Sequence, residues 1–108
     1  MNRPDPINCQ ANDTIQHAAG LVRVLDDDNK AKGEWNPELS AEEMIQGLEY
    51  MMRLRIFDDR MLKMQRTGKL SFYMRSFGEE AIAIAQTMAL ENQDWIFPSY
   101  RQPGAQFV

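Results

Sequence analysis

A chain of 108 residues is long enough for one domain or for part of a larger one. Its 44% hydrophobic and 26% charged residues are typical of a globular protein and exclude a disordered chain. The net charge of −4 argues against nucleic acid as a partner, because such binders need basic surface to neutralise phosphates. No apolar stretch approaches the roughly 20 residues that cross a bilayer, so we expect no membrane partner.

The amino-terminal residues carry prolines and aspartates with little periodicity, and we interpret residues 1–20 as an extended arm. They contain no apolar run of the secretory kind, so no targeting segment is seen. The single cysteine, Cys9, has no partner for an internal disulfide and no metal-ligand companion. A reducing compartment is therefore expected.

A small β-hairpin is predicted next, over residues 21–35. Residues 21–25 are partly β-branched, residues 31–35 can return as a second strand, and the polar cluster 26–30 between them is typical of a turn.

A long helix is the strongest secondary-structure prediction. Ser40 and Glu43 have the spacing of a capping box, and Gly68 can supply the left-handed residue after the last turn, so we expect a helix from about residue 41 to Thr67. Two apolar stripes along it predict contact on more than one side. The first stripe is Ile45, Leu48 and Met52, and the second is Tyr50, Leu54, Phe57, Met61 and Met64.

Two further elements are predicted in the last third of the chain. Ser76 and Glu79 repeat the capping-box spacing before an alanine-rich run, which predicts a helix over about 77–91. Residues 95–97 are apolar and stopped by Pro98, as in a short buried strand, and Pro103 can open another helix. The chain is thus predicted to be mostly helical, with one hairpin and one strand.

The residues alone contain no catalytic constellation: no paired Cys and His, no metal-ligand spacing and no glycine-rich phosphate loop. Tyr100 and Arg101 stand out because they follow the predicted strand, where α/β sheets place ligand groups. Arginine suits bidentate phosphate contact and tyrosine adds a hydroxyl. The alternative is an ordinary solvated arginine.

A resemblance to a known family is carried by residues 65–74, by Gly-Glu-Glu-Ala at 78–81 and by Tyr-Arg-Gln-Pro-Gly at 100–104. These motifs, together with residues 22–26 and 33–35, are similar to the alpha subunits of thiamine-diphosphate-dependent 2-oxo acid dehydrogenases, especially the branched-chain (2-oxoisovalerate) members. The resemblance implies a parent α/β fold, a thiamine-diphosphate-binding fold with a doubly wound parallel sheet. Residues 21–108 would be a truncated, amino-terminal part of that domain.

The resemblance also implies roles for individual residues. Tyr100 and Arg101 match the pair that holds the diphosphate of the cofactor. Phe72 and Tyr73 match positions lining the pocket for the branched substrate side chain, with plain core packing as the alternative. No catalytic residue and no metal ligand is expected among these residues; the ligands of Mg²⁺ are expected beyond residue 108.

The implied function is oxidative decarboxylation of branched-chain 2-oxo acids such as 3-methyl-2-oxobutanoate, with acyl transfer to lipoamide in a multienzyme complex. The implied partners are a beta subunit, in a tetramer of two alpha and two beta chains, and a lipoyl-bearing acyltransferase. The location would be the bacterial cytoplasm or the mitochondrial matrix, and the 108-residue chain alone is expected to be inactive. Alternatives are a pyruvate or acetoin dehydrogenase alpha subunit, and a non-catalytic helical interaction module.

Overall fold

The computed structural model describes residues 4, 5 and 7–108. The chain divides into two compact units, Met1–Glu38 and Leu39–Val108. The described residues form helices α1 (Ile15–Ala18), α2 (Ala41–Arg66) and α3 (Glu80–Met88), two short 3₁₀ helices and no β-strand. None of the helices in this described part is both long and apolar enough to cross a membrane.

The first unit contains helical turns where we had expected an extended arm, residues 1–20; residues 1–3 and 6 of that arm lie outside the described residues. A 3₁₀ helix, Ala11–Thr14, leads directly into α1. The Asp13 carboxylate accepts from the Gln10 N–H at 2.9 Å, and the Thr14 hydroxyl donates to the Ala11 carbonyl at 2.8 Å. These side-chain bonds satisfy groups that an isolated turn otherwise leaves to water.

The prediction of a β-hairpin over residues 21–35 is also wrong, although the turn between its two halves is present. A single antiparallel bridge joins Leu25 and Ala31, and the Asp26 N–H donates to the Lys30 carbonyl at 3.0 Å. The Asp26 carboxylate accepts from two N–H groups of the turn, those of Asp28 and Lys30. Leu25 stays half exposed, so the described turn has no apolar face on which a ribbon of two strands could be stabilised.

The prediction for α2 is confirmed at its start. The Ser40 hydroxyl accepts from the Glu43 N–H at 3.2 Å, and the Glu43 carboxylate accepts from the Ser40 N–H at 2.8 Å. Two donors that the helix itself cannot satisfy are thus paired. The bond from the Ser40 N–H, and a second bond that the Ser40 hydroxyl donates to the same carboxylate, lower the pKa of Glu43.

The end of α2 also follows the prediction. Gly68 has φ +74°, the left-handed conformation that glycine adopts without cost. Its N–H donates to the Gln65 carbonyl at 3.0 Å, and the Lys69 N–H donates to the Met64 carbonyl at 2.9 Å. This is a Schellman motif, and it closes a helix of 26 residues, about 39 Å long at ~1.5 Å per residue.

The prediction of a second capping box, at Ser76 and Glu79, is wrong, and α3 is shorter than predicted. The Glu79 N–H donates to the Ser76 carbonyl at 2.8 Å, closing a turn in which Gly78 has φ +87°. Since this turn uses the Glu79 N–H, the helix begins only at Glu80 and has no side-chain cap. The spacing of Ser76 and Glu79 therefore belongs to a backbone turn.

The core of the second unit lies where α2, α3 and the 3₁₀ helix Pro103–Gln106 meet. Leu54 of α2 and Ala83 and Ile84 of α3 are buried there. Gly104 is buried between them. As predicted, proline opens the last helical segment, but as a 3₁₀ turn.

The two apolar stripes of α2 have different environments. The second stripe, from Tyr50 to Met64, is buried or half-buried along its whole length. The first stripe, Ile45, Leu48 and Met52, is exposed over more than half of its surface. Contact on both sides is thus not observed within this unit.

The short buried strand predicted at residues 95–97 is wrong for this chain. The segment is neither a helix nor a strand, and Trp95 and Phe97 are 86% and 92% exposed. A strand requires a neighbour with which to exchange backbone hydrogen bonds, and the described residues provide none here.

Candidate functional site

The connection between α2 and α3, residues 67–79, is the first part of the candidate site; we call it the 67–79 loop. Asp58 of α2 is fully buried beneath it. The Tyr73 hydroxyl donates to Asp58 Oδ1 at 2.5 Å, and the Ser76 N–H donates to Asp58 Oδ2 at 2.9 Å. One carboxylate of the helix thus holds two points of the loop, and burial strengthens such charge-assisted bonds.

Tyr73 is held at its backbone as well. The Gln65 side-chain amide, with its oxygen toward the Tyr73 N–H, pairs with both the N–H and the carbonyl of Tyr73 at 3.1 Å. The Tyr73 ring packs edge-on against Phe57, with centroids 6.0 Å apart. Burial, and then the hydrogen bond and negative charge of Asp58, raise the pKa of Tyr73. Its hydroxyl therefore stays protonated and remains a donor at neutral pH.

The end of the loop and the start of α3 are held by ion pairs. Arg75 lies 2.6 Å from Asp59 on the exposed side of α2. Arg55 lies 2.6 Å from Glu80 and stacks over the Phe77 ring at 4.1 Å. Most of the loop is therefore positioned by consecutive turns of α2.

Glu80 is the buried member of these pairs. Burial opposes its ionisation, but hydrogen bonds from its own N–H and from the Gly78 N–H, with the charge of Arg55, lower its pKa overall. Glu80 is therefore ionised at neutral pH, and its charge at the start of α3 is compensated by Arg55.

Phe72 and Tyr100 form the second part of the candidate site. Their ring centroids are 6.1 Å apart with an interplanar angle of 73°, an edge-to-face contact. Phe72 is 59% exposed and Tyr100 64% exposed, so both present ring surface to the outside. The structure thus brings a predicted substrate residue beside a predicted cofactor residue, whereas the hydroxyl of neighbouring Tyr73 is directed to Asp58.

Arg101 completes this surface. Its Nη1 lies 3.5 Å from Glu79 Oε1, and its guanidinium carbon lies 5.7 Å from the centroid of the Tyr100 ring. Both partners of the ion pair are about half exposed, and such pairs contribute only about 0–1 kcal/mol. The pair therefore leaves the guanidinium of Arg101 accessible from outside.

The Tyr100–Arg101 pair is carried by a short turn. The Ser99 N–H donates to the Gln102 side chain at 3.0 Å, and the Gln102 N–H donates to the Ser99 carbonyl at 3.0 Å. The 3₁₀ helix that follows is packed on the core through Gly104. The turn is thus supported by α2 and α3 and not only by its own bonds.

The donor set suits a diphosphate group. The guanidinium of Arg101 and the hydroxyl of Tyr100 belong to adjacent, exposed residues, and both groups can donate to phosphate oxygens. The same cannot be said for a magnesium ion, since the described residues contain no group of three or more His, Cys, Asp or Glu that could hold a metal.

Asp58 is the residue that sequence reasoning missed. It lies beside the predicted stripe of Leu54, Phe57 and Met61, in a region where basic residues outnumber acidic ones. A charged residue at the border of an apolar stripe indicates a buried hydrogen-bond acceptor, and this signal was available.

Comparisons with known proteins place the chain. The model of the dehydrogenase E1 component family matches residues 49–108. The 2-oxoisovalerate dehydrogenase subunit alpha of Pseudomonas aeruginosa is 52% identical over 102 residues, which cover 94% of this chain and 25% of that protein. The mitochondrial 2-oxoisovalerate dehydrogenase subunit alpha of Dictyostelium discoideum is 38% identical over 91 residues, 83% of this chain and 21% of that protein.

A pyruvate dehydrogenase E1 component subunit alpha, from Staphylococcus epidermidis, is 38% identical over 82 residues, 75% of this chain and 22% of that protein. No solved structure matches the chain. The chain spans about a quarter of the length of the curated relatives it matches, whose names describe alpha subunits of 2-oxo acid dehydrogenases. The chain belongs to the dehydrogenase E1 component family.

Proposed function

We propose that these residues serve the thiamine-diphosphate-dependent oxidative decarboxylation of branched-chain 2-oxo acids, with transfer of the acyl group to lipoamide. The observation that carries this proposal is the contact between Phe72 and Tyr100. It sets an apolar ring against the ring of Tyr100, the residue next to Arg101. A reaction between an anionic cofactor and an aliphatic substrate requires apolar and phosphate-binding groups close together. The similarity to 2-oxoisovalerate dehydrogenase alpha subunits supports it.

The cofactor, when bound, supplies the nucleophilic carbon and the electron sink for the decarboxylation. The part of this chain is binding and orientation. Arg101 would hold the diphosphate through its guanidinium, which can make bidentate contacts to phosphate, and Tyr100 would donate its hydroxyl. Neither residue acts as an acid or base in this scheme. Magnesium would be held by ligands outside the described residues.

Phe72 provides the preference for an aliphatic side chain. An apolar wall gains about 0.8 kcal/mol for each CH₂ group that it removes from water. The additional carbons of 3-methyl-2-oxobutanoate over pyruvate would therefore favour the branched substrate. Tyr73 supports this wall, and its predicted contact with the substrate would use the ring, since the hydroxyl is engaged by Asp58.

A pyruvate dehydrogenase is the second candidate, because alpha subunits with that name are 38% identical to the chain. The two candidates share the diphosphate contact and differ in the substrate wall. An acetoin dehydrogenase, or a helical module that binds no cofactor, stays as the remaining alternative.

Partners are part of the proposal. The exposed stripe Ile45, Leu48 and Met52 and the exposed Trp95 and Phe97 leave apolar surface that other protein surface can cover. We propose that a beta subunit, in a tetramer of two alpha and two beta chains, and a lipoyl-bearing acyltransferase complete the assembly. The proposed location is the bacterial cytoplasm or the mitochondrial matrix.

The test is turnover by the complete alpha subunit that contains these residues, assembled with its beta subunit, thiamine diphosphate and Mg²⁺. We expect kcat/KM to be higher for 3-methyl-2-oxobutanoate than for pyruvate or acetoin. Higher kcat/KM for pyruvate would establish the second candidate, and no cofactor binding at all would favour the module. The 108-residue chain alone is expected to show no turnover; turnover by it would contradict that expectation.

A further inference from the structure

We propose that Asp58 is a positioning residue that sets substrate preference without touching the substrate: by holding Tyr73 and Ser76 it keeps Phe72 against Tyr100. This inference rests on the function proposed above and extends it to a residue of α2. The preference would thus depend on a buried carboxylate as well as on the aromatic wall itself.

The first argument is the cost of burying Asp58. Its side chain is 0% exposed, and no lysine or arginine of the described chain forms an ion pair with it. A buried carboxylate is expensive unless hydrogen bonds compensate it. Both of its side-chain bonds go to the 67–79 loop. The buried carboxylate of Asp58 therefore acts to hold that loop in place.

The second argument is where the bonds act. Tyr73 is hydrogen-bonded through its hydroxyl to Asp58 and through its backbone to Gln65. Phe72 directly precedes Tyr73 in the chain. The Phe72 side chain makes no such hydrogen bond; it is 59% exposed and packs edge-on against Tyr100. The backbone of Tyr73 is thus the fixed point from which the Phe72 ring extends.

The third argument separates Asp58 from its neighbour. Asp59 also binds the loop, through Arg75, but both partners of that pair are exposed. Exposed pairs contribute little because water screens them, whereas a buried, charge-assisted bond contributes more. Adjacent aspartates thus contact one loop with different expected effects, and Asp59 provides a matched control.

The experiment compares Tyr73→Phe, Asp58→Asn and the control Asp59→Asn in the assembled enzyme. Tyr73→Phe removes only the hydroxyl and keeps the ring against Phe57. Asp58→Asn keeps the shape and one of the two acceptor oxygens, and should be the milder change. We expect the ratio of kcat/KM for 3-methyl-2-oxobutanoate to kcat/KM for pyruvate to fall roughly tenfold in Tyr73→Phe, mainly through KM, and less than about twofold in Asp59→Asn.

A second measurement does not depend on activity. Hydrogen exchange in the peptide covering residues 69–78 should accelerate in Tyr73→Phe and Asp58→Asn and stay unchanged in Asp59→Asn. Accelerated exchange with an unchanged substrate ratio would mean that Asp58 is only structural, and this would overturn the proposal. Unchanged exchange in Tyr73→Phe would overturn it as well.

The wild-type enzyme distinguishes this proposal from the one on which it rests. If it turns over no 2-oxo acid, the proposed function fails and the inference with it. If it prefers the branched substrate and the folded variants keep the same ratio, the inference alone fails. Circular dichroism of each variant identifies any that does not fold, and Asp58→Asn then provides the second measurement.

Discussion

Gly104 lies directly against Leu54. A methyl group in place of the Gly104 hydrogen would lie 2.8 Å from Leu54 Cδ2 and 3.1 Å from Ala83 Cβ. Side-chain carbons are not found this close, so only glycine allows the 3₁₀ helix to rest on α2 and α3 at this point. The turn that carries Tyr100 and Arg101 therefore depends on a glycine that is buried in the core.

Gly104→Ala is expected to destabilise the second unit by about 1–3 kcal/mol, because added volume in a packed core displaces its neighbours. The control is the same substitution at Gly47, inside α2, where the new methyl group would meet Met88 Sδ at an ordinary 3.5 Å. Gly47→Ala should stabilise by about 0.5–1 kcal/mol through helix propensity. Urea unfolding followed by circular dichroism measures both, and equal effects of the same sign would contradict the packing argument.

Ser40→Ala removes the cap of α2. The N–H of Glu43 loses its acceptor, and we expect a loss of about 1 kcal/mol in the free energy of unfolding. Ser71→Ala, at an exposed serine of the 67–79 loop, is the comparison and should change it by less than about 0.5 kcal/mol. The midpoints of thermal unfolding of the two variants and the parent test this prediction. Indistinguishable midpoints would show that the cap does not stabilise the unit.

The pH dependence of stability should contain a contribution from Glu80. Its pKa is lowered in the folded state, so its contribution is complete at neutral pH. It is lost as the pH falls below about 4.5, the ordinary glutamate value, through the lowered pKa. Glu80→Gln should destabilise by about 1–3 kcal/mol at neutral pH, and its difference from the parent should shrink in acid.

Unfolding free energies between about pH 7 and about pH 3 test this prediction. Glu79→Gln, which alters only the exposed pair with Arg101, is the control and should run parallel to the parent. A difference for Glu80→Gln that grows toward low pH would contradict the sign of the argument.

Arg101→Lys should weaken thiamine diphosphate binding by the assembled enzyme although it keeps the charge. Lysine cannot make two parallel bonds to one phosphate, and the loss of a charge-assisted bond of about 1.5–3 kcal/mol corresponds to roughly 10- to 150-fold in Kd. Arg23→Lys, in an exposed pair with Asp27, is the matched change elsewhere in the chain. Calorimetric titration measures both, and equal affinities for the two variants would remove Arg101 from the cofactor site.

Local signals in the sequence were sufficient for α2. Its start depends on the contact of Ser40 with Glu43, and its end on Gly68, all close in sequence, so the pattern predicted both. The same reasoning failed at Ser76 and Glu79, because the spacing of a capping box is also that of a turn around Gly78. Only the positions of the backbone donors distinguish the two cases.

Long-range features could not be predicted in this way. The contact of Phe72 with Tyr100 joins residues far apart in the chain, and only the resemblance to a family had suggested that they belong together. Residues 95–97 have the composition of a strand, but a strand exists only with a neighbour. The position of Asp58 beside the apolar stripe of α2 indicated burial, but its two partners could not be predicted, because they lie 15 and 18 residues further along the chain.

The division of the chain into two units has a practical consequence for spectroscopy. The two tryptophans fall one to each unit: Trp35, edge-on to His17 at 5.8 Å, and Trp95, 86% exposed. In a Trp35→Phe variant, indole fluorescence would come from the second unit alone. Its emission, red-shifted by water, would move to shorter wavelength when another surface covers Trp95, so the chain carries its own optical reporter of assembly.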